Sequence, residues 1–551
     1  MYPGLVARPS WRNQWLYPML LLGALAAVVV AGLYAVDHYL NRAGIAGPLE
    51  HFLDFDADSV SNSIGVLSSI IAAVLGIIIT VASIVVQLAA TRYTPAVTEM
   101  FFRDRTNRAV LAIYIIGCVM GIWTAFAVNT QWVPKVSLLA MLILATVGFV
   151  LMGPYFNYVF RLLAPQSVVS RIQTDAQETA IGTGRHASRS IRQRQQSALQ
   201  LAEQLTDIAV NSISQKDKII ATACVDSLRE IGLTYLDGKA AQKKPWFRLG
   251  PIIRGNPDFA SMDPDSVTDV EKAKTWFEFK LLRQYQSIYT EALGTMRDIN
   301  YVIAINTRHL AERALARRDE EALGLAIKFF NTYLRATLNN NDVRTAYTIL
   351  NQYRMMAEAV LRAGDGATAI GIANHIKYYG HVSYQKKLAF VTETVAYDLG
   401  TLCEVAHDVK AEVEGQLLGA FLDADPKTSE GDVQEASLRG VRKAQLKLAT
   451  YYLAVKAEPM ARRVWEDMRD ETADRLLSIR DELLAVQSKD FWEISDRGGN
   501  FEYMSPQRKE MLRIFFTWFR EVSGELKAVS LDAPAAGRAA RVTGERIKGS
   551  S

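Results

Sequence analysis

Residues 61–87 read SNSIGVLSSIIAAVLGIIITVASIVVQ. The run contains no ionisable side chain and exceeds the roughly 20 residues a helix needs to cross a bilayer core. On a helix of about 100° per residue, Ser61, Gly65, Ser69, Ala72, Gly76, Thr80, Ser83 and Gln87 fall within about 100° of arc. Most of the other positions are Ile, Leu or Val. Two readings fit this stripe of small and hydroxyl-bearing residues. Small residues at helical spacing let backbones approach without lipid between them. Hydroxyls and a carboxamide on one face can also line a pore surrounded by several copies. The two readings coexist if the partner is another subunit.

The stripe belongs to the longest of four uncharged apolar stretches, at about 16–36, 60–90, 109–129 and 136–160. Nothing like them occurs in the remainder of the 551-residue chain. The mean hydropathy of +0.04 is therefore an average over a membrane part and a part of ordinary soluble composition. The expected class is all-α: a cytoplasmic N-terminus over 1–15, a four-helix transmembrane domain over 16–164, a helical domain over 165–530 and a disordered tail over 531–551. No Asp, Glu, Lys, Arg or His lies inside a span, which argues against pumps and ion-coupled carriers, because those keep an ionisable group there.

Charges outside the spans orient the chain. Arg8 and Arg12 precede the first, Arg92, Arg103, Arg105 and Arg108 follow the second, and Arg161 and Arg171 follow the fourth. The loop after the first is acidic. The positive-inside bias puts both termini in the cytoplasm. Trp11, Trp15, Tyr17, Trp132, Tyr155 and Tyr158 stand where interfacial anchors belong. Phe101 and Phe102 beside Arg103 and Arg105 predict a short segment lying at the headgroups, with Arg meeting lipid phosphate; an Arg-lined inner mouth is the rival reading. Asp54, Asp56 and Asp58 alternate at the outer end of the second span. An EF-hand would need Gly where Ser59 stands and an acidic ligand where Gly65 stands, so the loop reads as solvated, or as a cation-concentrating ring in an oligomer.

Beyond residue 165 the apolar spacing is close to 3.6. Leu323, Ile327, Phe330 and Leu334 form one face, and Leu350, Tyr353, Met356, Ala357 and Val360 another. Helices break around 182–184, 339–341, 364–366 and 423–431. The stretches 321–365 and 366–410 each read as a helical pair, and a period near 45 suits an α-solenoid, with an irregular bundle as the alternative. Pro and Gly density over 245–264 reads as a loop with a short hairpin. Arg185, Arg189 and Arg192 share a face that suits anionic lipid or plain solvent.

The enzymatic search is nearly empty: no Walker A loop, GxGxxG, GxSxG or HExxH is present. The seven histidines are scattered, and the three cysteines, Cys118, Cys224 and Cys403, form no CxxC. The sequence predicts neither enzyme, cofactor nor metal site. A net charge of +4 over this length argues against nucleic acid as a partner.

Residues 68–117 carry a resemblance in Gln87 to Pro95 (QLAATRYTP) and Phe101 to Arg105 (FFRDR), which follow a Ser-rich span. The segment over about 10–165 resembles an uncharacterised bacterial family of four-span predicted membrane proteins, a domain of unknown function. The resemblance implies a multi-pass plasma (inner) membrane protein and no established activity. The reading favoured by the residues is a homo-oligomer in the lipid bilayer with a passive or gated pore at the second span. Its rival is a non-transporting scaffold or sensor whose helical domain binds a cytoplasmic protein.

Overall fold

The computed structural model of the chain describes residues 57–92, 101, 104–127, 135–424, 432–490 and 497–519. The first apolar stretch, Asp54, Asp56, Arg103 and the tail over 531–551 lie outside them. Every regular element among the described residues is a helix, with no strand among them. They divide into two compact units, 1–172 and 173–551.

The first unit contains α1 (Ala57–Arg92), α2 (Arg105–Ala127) and α3 (Lys135–Leu162), each long and apolar enough to span a membrane. Ile64, Ile71, Val74, Ile78, Ala82 and Val86 recur at spacings of three, four or seven residues along α1 and are buried against α2 and α3. Glycines on the partner helices make room for them. A Cβ on Gly121 would lie 2.2 Å from Ser68 Oγ, and one on Gly117 would lie 2.4 Å from Leu144 Cδ2 and 3.2 Å from Ile71 Cγ2. Gly148 on α3 lies under the Tyr114 ring, and the Tyr114 hydroxyl donates to its carbonyl at 2.6 Å. Ile77, Ile79, Ile115, Ile116, Ile122, Ile143 and Phe149 are exposed among the described residues, an apolar surface suited to hydrocarbon. The helix α4 (Pro165–Ile181) carries the boundary between the units.

The second unit is a stack of helical hairpins. One row is α5 (Ile191–Ser214), α7 (Trp276–Ala292), α9 (Glu320–Asn339), α11 (Gly366–Gln385) and α13 (Glu414–Leu422). The other is α6 (Lys218–Gly238), α8 (Arg297–Ala316), α10 (Val343–Arg362), α12 (Ala389–Asp408) and α14 (Asp432–Ala454). Each helix packs on the next in its row, and from α5 to α12 on its hairpin partner, as in an α-solenoid. Helices α15 (Glu458–Met468), α16 (Ala473–Ala485) and α17 (Pro506–Phe516) close the C-terminal end.

The period is 46 residues, and the hinges reveal it. Arg318, Gly364, Lys410 and Lys456 all have positive φ and stand 46 apart, as do Asn341 and Lys387. Asp319 and Asp365, one residue after two of these hinges, cap the following helix by accepting from the N–H three residues on. The predicted hairpin over 245–264 is replaced by short helical turns. Pro245, Pro251, Pro257 and Pro264 each sit at a helix start, and Asn256 and Asp263 cap two of them. A proline there loses no helical hydrogen bond, whereas it would interrupt a strand ladder.

A polar ladder runs through the α6–α14 row. Arg229 donates to Asn306 at 3.0 Å, Arg308 to Gln352 at 2.8 Å, and Arg354 meets Asp398 at 3.2 Å. Asn306, Gln352 and Asp398 are 46 apart, and so are Glu312, Glu358 and Glu404. Arg308 and Arg354 pair with Glu312 and Glu358, while the next position in their series is Gly400. There the cations come from the C-terminal segment. Arg497 meets Asp398 at 2.5 Å, and Arg508 meets Glu404 at 2.9 and 3.0 Å. Phe501 stacks on Tyr397 beside them, and Lys447 donates to the Phe501 carbonyl at 2.6 Å.

Arg497 and Asp398 are both almost fully buried, so removing the arginine leaves the Asp398 carboxylate in the interior with Arg354 as its one remaining described cation. Arg497→Leu is expected to cost about 3–5 kcal/mol in urea unfolding of this unit, and adding Asp398→Leu should recover much of that loss. Burial pulls the Lys447 ammonium down to about 8. Between that pH and its ordinary pKa near 10.4, the unfolded chain binds a proton that the folded chain lacks. Stability from this group therefore rises across that window. Wild type minus Lys447→Met, measured by urea unfolding at pH 8 and pH 10, should show the rise.

Candidate functional site

The stripe on α1 turns away from its own bundle. Gly65, Ser69, Ala72, Gly76, Thr80, Ser83 and Gln87 are all exposed, because the buried arc is taken by the Ile and Val series. A Cβ added at Gly65 or Gly76 would meet nothing within 4 Å. Ser61 lies in the same helix, with a side chain outside the described residues. No described residue of the first unit covers the stripe. Close packing inside the described bundle is the work of Gly117, Gly121 and Gly148 instead. Near the N-terminal end of the stripe an open groove is lined by Asn62, Gly65, Val66, Ser69, Ile70 and Ala73. The Ser69 hydroxyl donates to the Gly65 carbonyl at 2.8 Å, so its proton is held by the helix itself.

Part of the arginine-rich connection lies among the described residues. Arg105 and Arg108 are exposed on the first turn of α2. Arg92 ends α1, and Asp58 lies in its first turn, both with side chains outside the described residues. Phe101 is buried rather than presented to lipid, and its carbonyl accepts from Asp104 N and the Asn107 carboxamide, each at 3.3 Å.

Asp104, which sequence reasoning passed over, organises this corner. Its carboxylate caps α2 by accepting from Thr106 N at 2.9 Å and Asn107 N at 3.1 Å. It also accepts from the Tyr158 hydroxyl at 2.5 Å and stands 4.0 Å from Arg171. The Tyr155 hydroxyl donates to Asn107 Oδ1 at 2.5 Å, and neither side chain reaches the surface. Tyr155, expected as an interfacial anchor, is thus an internal strut. The available signal was Asp three residues before Asn at a helix start, a capping pattern.

Residues 11–215 match the family model described as predicted membrane protein (DUF2254). That segment takes in all four apolar stretches and continues through α4 and α5, past the point near 165 where the resemblance first read from the sequence ends. The family description carries no activity. No curated protein and no solved structure matches the chain.

The two kinds of glycine predict opposite behaviour. Gly121→Leu should overpack the α1–α2 contact at a cost of about 1–3 kcal/mol, read as a lower unfolding temperature in detergent. In protein dissociated to monomers by detergent, Gly76→Leu should leave that temperature unchanged, since nothing in the described subunit opposes the new side chain.

Proposed function

We propose that the protein is a homo-oligomeric, multi-pass protein of the bacterial plasma membrane with both termini in the cytoplasm. Its copies meet along the small-residue face of α1 and enclose a passive, gated pathway there. The helical repeat is its cytoplasmic platform. The observation that carries this reading is the allocation of faces on α1. Among the described residues, the bulky aliphatic series is used inside the subunit, and the stripe of Gly, Ser, Thr and Gln is left open. Small residues are what helix association in lipid requires, because backbone approach and dispersion replace the hydrophobic effect as the driving force. The described stripe carries no charge, which suits passive passage rather than coupled transport.

A second reading is a scaffold without transport, in which stacked hairpins hold a protein partner. Solenoids present extended surfaces of this kind, and the inward-turned Ser69 hydroxyl favours dry packing over a wet lining.

Two measurements separate the readings. In a cysteine-free background, Gly76→Cys in membranes is expected to oxidise to a dimer, while a cysteine at buried Ile78 should not. In planar bilayers the wild type should conduct, and Ser69→Leu and Thr80→Leu should each reduce the current. Cross-linking without conductance at any voltage, tension or salt retains assembly and rejects the pathway; absence of both rejects the proposal.

A further inference from the structure

The last turns of α4 place Asp175 and Glu178 three residues apart, on one face of the helix. The chain then reverses. Gly182, at φ +77°, and Thr183 both donate to the Glu178 carbonyl, at 2.8 and 3.0 Å. A short 3-10 turn over Gly184–His186 carries the imidazole back toward the two carboxylates. One ligand atom each from Asp175, Glu178 and His186 lies within 4.8 Å of the other two. Sequence spacing gives no hint of this, since the histidine arrives only through the reversal.

Three features make this more than an acidic surface. The His186 side chain is only 6% exposed, so the nitrogen donor is presented from the interior. Gly184 has φ +57°, and a Cβ there would lie 2.4 Å from the Glu178 carboxyl carbon and Oε2 and 2.7 Å from Oε1. The carboxylate therefore occupies a cradle that any other residue would fill. The turn is also held from behind. Arg194 donates to the carbonyls of Thr179 and Ala180 at 3.0 and 2.9 Å and to Gln242 at 3.0 Å, with its guanidinium 4.6 Å over the Trp246 ring. That cation is committed to the end of α4, and it packs over Gly182 where a side chain would otherwise stand.

We propose that Asp175, Glu178 and His186 bind a divalent transition-metal ion, of the Mn2+, Fe2+ or Zn2+ class. Two carboxylate oxygens and one neutral imidazole nitrogen match the charge of such an ion and its mixed hard and borderline ligand preference. An all-oxygen set would instead suit Ca2+ or Mg2+, and thiolates would suit Cu+. Three protein ligands leave positions for water. The bound ion fastens the end of α4 to the turn that starts α5. The competing arrangement is an imidazolium held between two carboxylates, which needs no metal.

The test uses the untagged full-length protein in detergent, stripped with EDTA and titrated with Mn2+ and Zn2+. Saturable uptake of one equivalent per chain is expected, with a rise in unfolding temperature that a chelator reverses. Asp175→Asn and His186→Gln should each weaken binding about tenfold or more. Pulsed EPR of the Mn2+-loaded wild type should show coupling to one imidazole nitrogen, a signature that does not depend on any variant folding. Absence of saturable uptake, uptake unchanged in the variants, or Mn2+ without nitrogen coupling would each overturn the site.

Discussion

The close approach of α1 to α2 at Ser68 and Gly121 decides what the rest of α1 is free to do. A helix has one circumference, and here the arc carrying Ile64, Ile71, Val74, Ile78 and Val86 is buried against glycine-bearing neighbours. Knobs on α1 meet flats on α2, which is the small-residue logic of membrane packing with the roles of the helices exchanged. Because the flats are on the partners, the small residues of α1 are not covered by the described residues of the subunit. Their exposure follows from the seating of the Ile and Val series of α1 against helices that include Gly117 and Gly121.

The helical repeat depends on a different constraint, the burial of charge. Each arginine of the ladder lies against the next helix and finds an amide or carboxylate there, so the rungs hold adjacent hairpins in register. A buried ion pair contributes little net stability compared with well-packed apolar residues, but a broken one is costly. The ladder thus penalises every arrangement that misaligns the hairpins. At the last rung the repeat has Gly400 in place of arginine, and the segment carrying Arg497 and Arg508 supplies both cations. The end of the solenoid is closed by chain that is distant in sequence, which gives Glu404 its counter-charge and adds a second cation to Asp398 beside Arg354.

Much of this was legible in the sequence, for physical reasons that also explain the gaps. Apolar length and helical spacing identify spans and hairpins because they report burial directly. The breaks at Gly182–Gly184, Asn341 and Gly364 were readable because few residues tolerate positive φ. The exact 46-residue period escaped notice because the hinge position is Arg, Gly, Lys and Lys in turn: geometry repeats while identity does not. Phe101 and Tyr155 were read as lipid-facing because they flank a span, and only the positions of Asp104 and Asn107 turn them inward.

The inner face of α1 was the least legible feature, and the reason is the solvent. In water, a helix advertises its buried face by contrast with polar neighbours. In hydrocarbon, Ile and Val are equally at home against lipid or protein, and Gly or a self-bonded Ser costs little on either side. The stripe is conspicuous in the sequence, yet its pattern is compatible with every direction around the helix. What fixes the direction lies on α2 and α3, where a missing Cβ at Gly121 or Gly117 accepts the Ser68 and Ile71 side of α1. For a membrane helix of this composition, orientation is therefore a property of its neighbours. The glycines of α2, not the serines of α1, are the residues from which the open face could have been inferred.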